Sequence, residues 1–228
     1  MEITKKIAEE LSVKPSQVEA AVKLIDEGCT IPFIARYRKE VTGSLNDEQL
    51  RNLDERLKYL RNLEDKKAQV IASIAEQGLL TDELKNQIEK ADTMVAVEDL
   101  YRPYRPKRRT RATIAKEKGL EPLANVILLQ MTGEPVVKTA EEYVSEEKDV
   151  KTPEDAVAGA KDIIAESISD NADYRTRIRE LTFKEGVLTS AAKDAEAKTV
   201  YEMYYNFSEP AAKMAGHRIL AVNRGENE

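Results

Sequence analysis

The sequence predicts an all-α protein, a multi-helix assembly with one long central helix and a helix-turn-helix-like unit. Three observations carry that prediction. Only 9 of 228 residues are glycine, while Ala, Leu, Glu, Lys and Arg, which lose least on entering a helix, are abundant. Glycine and proline are absent from Leu45 to Gln77, where Leu50, Leu53, Leu57 and Leu60 recur at a/d spacing. Segments that alternate strand with helix never occur, which disfavours a Rossmann-like sheet. A hydrophobic fraction of 41% is enough for a core, and 34% charged residues leave several helices well exposed.

The elements follow in order. Ile3, Ile7 and Leu11 mark a short amphipathic helix, broken at Val13-Lys14-Pro15. Pro15 suits the first turn of a second helix, whose face is Val18, Ala21, Val22 and Ile25 and whose stop is Gly28. This pair reads as a helix-turn-helix or as an ordinary helical hairpin. A third helix runs from Pro32 through Phe33, Ile34 and Tyr37. After Ser44 comes the long helix, about 30 residues and roughly 45 Å. Glu64 and Lys67 interrupt its apolar seam before Ile71 and Ile74 resume it, so a strut with differently packed halves is expected rather than a coiled coil. Thr81, Thr93 and Thr110 cap three further helices, and Leu123 to Met131 forms a more apolar one.

Residues 1–131 thus form an N-terminal helical region with the long helix and a basic loop. Residues 132–151 are polar, acidic and poorly patterned, and read as a mobile connector. A second helical region, 152–228, opens at Thr152-Pro153 with Val157, Ile163, Ile164 and Ile168 buried. It continues through a helix from Tyr174 to Lys184. Val187 to Ser190 is the one extended candidate, Thr199 to Phe207 reads as an aromatic packing face, and His217 to Glu228 as a tail.

Composition also excludes functions. One histidine and one cysteine cannot supply the usual zinc-ligand spacings, and no Walker or G-x-G-x-x-G motif occurs. No metal or cofactor is expected. The carboxylates alternate with Lys and Arg on helix faces, so no acid pair stands out and the chain reads as no enzyme. Cys29 reads as an incidental thiol suited to a reducing cytoplasm. The N-terminus lacks a signal-peptide core, and the longest apolar stretch, Ala124 to Leu129, is too short for a membrane span. A cytoplasmic location without membrane contact is the expectation.

One segment stands out from an acidic chain of net charge -6. Between Tyr101 and Lys118, Arg102, Arg105, Lys107, Arg108, Arg109, Arg111, Lys116 and Lys118 face only Glu117. Pro103 and Pro106 keep the loop extended. Arginines that fork onto phosphates beside tyrosines that stack on bases would bind single strands. The same residues would also anchor an acidic protein surface. Structurally, Tyr101 and Tyr104 would instead pack on the long helix while the arginines pair with its acids. Arg36, Arg38 and Lys39 around Tyr37 form a smaller patch, which also reads as the solvated face of a helix anchored by Ile34.

Ile31-Pro32-Phe33-Ile34-Ala35-Arg36-Tyr37-Arg38-Lys39-Glu40-Val41-Thr42-Gly43 resembles a signature near the start of bacterial Tex-type transcription accessory proteins. Asp99-Leu100-Tyr101-Arg102-Pro103-Tyr104-Arg105-Pro106-Lys107-Arg108-Arg109-Thr110, running on through Ala115 to Ala124, is similar to a second. His217-Arg218 through Asn223-Arg224-Gly225 resembles a third, shorter one. The resemblance covers essentially the whole chain. It implies a cytoplasmic, transcription-associated protein related in architecture to a eukaryotic elongation factor that travels with RNA polymerase. It also implies a helical N-terminal region with a helix-turn-helix-like unit. The family continues into a YqgF-like domain, helix-hairpin-helix units and an OB-type domain that carries its main nucleic-acid grip, so this chain is expected to be a fragment.

The function expected is therefore a helical scaffold and interaction region of a transcription accessory protein, contributing RNA or DNA binding within the full-length protein. The alternative is a protein-binding helical module that docks on RNA polymerase, associated transcription proteins or its own downstream domains.

Overall fold

A computed structural model of the chain describes residues 2–106, 108–130 and 133–227. Two expectations, Lys107 as a site residue and Met131 as a helix end, lie outside the described residues. The chain divides into two compact units, Met1–Tyr104 and Arg105–Glu228. Among the described residues there are 12 α-helices and a single two-stranded sheet, so the chain is predominantly α. No described helix is long and apolar enough to cross a membrane.

The first unit holds α1 (Ile3–Glu10), α2 (Pro15–Asp26), α3 (Ile31–Tyr37), α4 (Asp47–Glu76), α5 (Asp82–Lys90) and α6 (Met94–Tyr101). A 30-residue helix forms at α4 because its start is strongly signalled and nothing inside breaks it. The Gln49 amide donates to the Asn46 side chain at 2.8 Å, and the Asn46 amide donates back to Gln49 at 3.0 Å. This reciprocal pair satisfies two otherwise orphan N–H groups, and Asp47 and Glu48 complement the helix dipole.

The buried stripe of α4 is Leu50, Leu53, Leu57, Leu60, Leu63, Lys67, Val70 and Ile74. Its spacing follows the 3.6-residue period of a straight helix, so the seam does not lapse where a strict heptad reading breaks it. Leu63 fills the position that the heptad count assigns to Glu64. Lys67 occupies a buried position because its ammonium has partners: it donates to Glu64 at 2.9 Å and to the Glu89 carbonyl at 2.9 Å. Helices α1, α2, α3, α5 and α6 all pack on α4. They contribute Ile7, Ala8, Val18, Ala21, Leu24, Ile34, Leu84, Ile88 and Val97 to one core.

Charged residues at the rim tie these helices down. Arg56 forks onto Glu10 at 2.5 and 2.7 Å, and Arg61 forks onto Asp26 at 2.7 and 2.9 Å. Lys66 pairs with Glu98 at 2.5 Å, and Lys6 with Asp92.

The second unit holds α7 (Arg111–Glu117), α8 (Glu121–Leu129), α9 (Val136–Ala140), α10 (Pro153–Asp170), α11 (Ala172–Glu185), β1 (Val187–Ala191), β2 (Asn206–Pro210) and α12 (Gly216–Asn227). Thr152 and Asp155 cap α10 reciprocally, both bonds at 3.1 Å, with Pro153 in the first turn. Helices α7, α8 and α9 pack on α10 around Ala112, Ala115, Leu120, Leu123, Ala124, Ala140, Ala156, Ala160 and Ile163. Gly159 permits the close approach: a β-carbon there would collide with Leu120 and lie 3.3 Å from the Ala115 methyl.

Three segments differ from the sequence expectation. Described residues in 132–151 are not a bare connector: they form α9, a 3₁₀ turn at Glu141–Tyr143 and a bridge between Ser145 and Val150. Ala140 and Val150 are buried in the α10 core, and two apolar anchors are too few to register as a periodic pattern. The extended candidate is a true strand, with Ser190 opposite Phe207 in the antiparallel β1–β2 pair. Its partner starts inside the segment read as an aromatic packing face; there Tyr204 meets Phe207 edge-on at 5.2 Å. The expected tail is helix α12, which buries no residue and therefore has no apolar stripe to announce it.

Two predictions follow from the first unit. Lys67→Ala removes a buried cation from two acceptors and should destabilise by roughly 1–3 kcal/mol. Lys67→Met keeps the packing and should be more stable than Lys67→Ala in urea denaturation. Arg56 holds the Glu10 carboxyl below its ordinary value chiefly by hydrogen bonding, and Arg61 does the same to Asp26. A depressed native pKa gives stability that is present above the unfolded value and lost as pH falls through the native one. The melting temperature should therefore drop below about pH 4, and drop less steeply in a Glu10→Gln, Asp26→Asn double variant.

Candidate nucleic-acid interface

In the first unit three basic residues, Arg36, Arg38 and Lys39, fall close together on α3 and the turn after it. Ile34 is fully buried and fastens α3 to the core, which turns Phe33, Arg36 and Tyr37 outward. Arg36, Arg38 and Lys39 are all exposed, and no described carboxylate forms an ion pair with any of them. This is unusual within the unit, where 16 basic and 20 acidic side chains give a net charge of -4. Elsewhere in it Lys5, Lys6, Arg51, Arg56, Lys58, Arg61, Lys66, Lys67 and Lys85 are all paired. Lys14, Lys23 and Lys90 also lack an ion pair among the described residues, but they stand singly, whereas Arg36, Arg38 and Lys39 fall within four consecutive residues.

The turn that presents these cations is held firmly. Thr42 is buried, and its hydroxyl lies 3.3 Å from the carbonyls of Arg38 and Lys39. Gln17 of α2 donates to the Gly43 carbonyl at 2.7 Å. Gly43, at φ 60°, adopts the left-handed conformation that lets the chain reverse into α4.

Arg102 lies in the 3₁₀ turn Arg102–Tyr104 that ends the first unit, and it is exposed. The tyrosines beside it are structural. Tyr101 and Tyr104 are half-buried against the α4 core. The Tyr101 hydroxyl lies 3.0 Å from that of Ser73, and Gln77 donates to the Tyr104 carbonyl at 3.0 Å. Their rings therefore serve packing rather than stacking on a ligand.

In the second unit Arg105, Arg108, Arg109, Arg111 and Lys116 are all exposed. Thr110 caps α7 by accepting from the Thr113 amide at 3.0 Å, while Ala112 and Ala115 face the core, so Arg111 and Lys116 are left on the outer surface. Several of these cations pair locally: Arg109 with Glu117 at 2.8 Å, Lys116 with Glu121 at 3.5 Å and Arg111 with Asp162 at 3.9 Å. Their acids belong to the second unit, not to the long helix as the structural reading proposed. Arg108 has no such partner among the described residues. Lys118 turns away and donates to the Asp149 carbonyl at 2.7 Å and its carboxylate at 3.0 Å.

A cleft of about 440 Å³ lies between α7 and α10, lined by Arg111, Lys118 and Lys151 and by Asp149, Asp155 and Asp162. Three cations against three carboxylates leave it no net attraction for an anion. The candidate interface is instead the exposed rim of arginines, whose surface pairs would cost little to exchange for phosphate.

The sequence already marked the basic side chains around Tyr37 and Ile34 as their anchor; it did not single out Phe33, whose exposure beside Tyr37 the tertiary structure reveals.

Fold and surface define a multi-helix protein with locally segregated charge. Residues 1–75 match the Tex-like protein N-terminal domain, and residues 132–228 match the Tex central region-like family. The chain belongs to the Tex family of transcription accessory proteins. It is 51% identical, over 99% of its length, to the Bacillus subtilis protein YdcI, described as uncharacterized. It is 45% identical, over its whole length, to the transcriptional accessory protein Tex of Neisseria gonorrhoeae. A human S1 RNA-binding domain-containing protein 1 is 29% identical over 97% of the chain. The chain spans 32%, 30% and 23% of these relatives' lengths, respectively.

Because Arg109 and Glu117 are mostly solvated, Glu117→Gln should change stability by under about 1 kcal/mol in urea denaturation. A larger loss would make Arg109 a structural residue and remove it from the interface.

Proposed function

We propose that this chain is a helical scaffold and interaction region that contributes nucleic-acid contact to a full-length transcription accessory protein. The contact residues are Arg102, Arg105, Lys107, Arg108, Arg109, Arg111 and Lys116, with Arg36, Arg38 and Lys39 as a second patch. One observation carries the reading: inside an acidic chain, exposed cations cluster where carboxylates are few or bound only by weak surface pairs. Neutralised phosphates supply most sequence-independent affinity, and such an arrangement offers them ready partners. The name of the human relative, which refers to an S1 RNA-binding domain, is consistent with this reading. The region acts by contact rather than catalysis.

A second reading has its own support. Helix α11 buries no residue and exposes Tyr174, Ile178, Leu181 and Phe183. An apolar face of that kind fits a protein surface, such as RNA polymerase or other parts of the same polypeptide.

Fluorescence-anisotropy titration with labelled single-stranded RNA and duplex DNA tests the first reading. Binding should weaken with salt, and Arg105, Arg108, Arg109 and Arg111 changed together to Ala should reduce the logarithmic salt slope by up to about 3 for a single strand, roughly 0.7 per lost contact. No binding at low salt would leave the protein-docking reading in possession of the surface.

A further inference from the structure

We propose that Phe33 and Tyr37 form a base-stacking platform that selects an unpaired polynucleotide strand, with Arg36, Arg38 and Lys39 holding its phosphates. The inference rests on the nucleic-acid reading above and assigns the first unit a ligand class within it.

The geometry carries the proposal. Phe33 and Tyr37 are four residues apart on α3, so their rings meet on one face, with centroids 5.3 Å apart and planes tilted by 47°. Phe33 is 38% exposed, Tyr37 61% and Val41 55%. The Arg38 guanidinium sits over the Phe33 ring, 5.2 Å from its centroid, and donates to the Tyr37 carbonyl at 3.3 Å. The cation covers Phe33 and leaves the Tyr37 ring as the open aromatic face.

Rigidity supports the same reading. Ile34 anchors the helix, and buried Thr42 with Gln17 fixes the following turn. A ligand would therefore meet a surface already in position and would not have to order it.

Charge chooses the occupant. An exposed aromatic pair alone would suit any apolar partner, but three cations without a carboxylate partner surround this one. Bases that stack on a ring while phosphates meet Arg and Lys are the pairing that single strands supply. In a duplex both faces of each base are already covered by neighbours, so the platform has nothing to stack on. An acidic peptide would satisfy the cations but leave the Tyr37 ring unused.

The chain contains no tryptophan, so Tyr37→Trp installs a single reporter on the platform. Titrating that variant at low salt with an oligothymidylate of about 12 nucleotides should quench its fluorescence to saturation. By anisotropy, Tyr37→Ala should weaken binding of the same strand by roughly five- to 150-fold, the loss expected for one stacked base. Tyr37→Phe should retain the affinity, and melting curves should match the parent chain because Tyr37 is exposed. A strand of equal length lacking bases should bind the parent chain as weakly as the intact strand binds Tyr37→Ala. Strand binding that is indifferent to Tyr37→Ala and to base removal would overturn the platform while leaving the broader nucleic-acid reading intact. Failure of every strand to bind at low salt would overturn both. Quenching of the reporter by polyglutamate but not by the oligonucleotide would assign the surface to an acidic protein segment and overturn the proposal.

Discussion

Each unit depends on one long helix that must bury a single apolar stripe. In the first unit a 30-residue helix carries its stripe along its length, and no one neighbour is long enough to cover it. Five shorter helices share the task. The hydrophobic return for a fully buried Leu, roughly 1.5–3 kcal/mol, fastens even a seven-residue segment such as α3, which would not be helical in isolation. In the second unit α10 serves in the same way for α7, α8 and α9, with Gly159 letting the backbones approach where a larger residue would not.

The candidate surfaces sit on what the stripes leave over. A short helix pinned by one buried residue presents everything else to solvent, and α3 has only Ile34 inside. Its aromatic and basic side chains are therefore outward by necessity. On α7 the two buried alanines are small enough to bring the helix close to α10, and the arginine and lysine positions around them are left exposed. The acidic background matters to both surfaces. Where carboxylates lie within reach they neutralise the cations, as along the rim of α4. Around α3, where Arg36, Arg38 and Lys39 form no ion pair among the described residues, the positive charge stays unneutralised.

Much of this was legible in the residues, and the failures have physical causes. The long helix and the starts at Thr81, Thr93, Thr110 and Thr152 follow from local rules that need no knowledge of neighbours. Lys67 was misread as a break in the seam, because an ammonium is tolerated inside only when Glu64 and the Glu89 carbonyl are present to receive its protons. Helix α9 and the Ser145–Val150 bridge were missed because Ala140 and Val150 are buried by contacts with α10, not by a pattern of their own. The strand partner of β1 hid among aromatic residues whose spacing states nothing about pairing.

The sequence by itself determined the all-α class, the long helix, the positions of the basic segments and the family. These rest on periodicity, capping and motif, which are properties of neighbouring residues. Only the tertiary structure decided which aromatic rings are packing and which are surface. Tyr101 and Tyr104 lean on the α4 core, whereas Phe33 and Tyr37 stand clear of it, Phe33 beneath Arg38 and Tyr37 open to solvent. It also decided which cations are neutralised: a charge is cancelled by carboxylates near in space, and distance along the chain does not tell which those are.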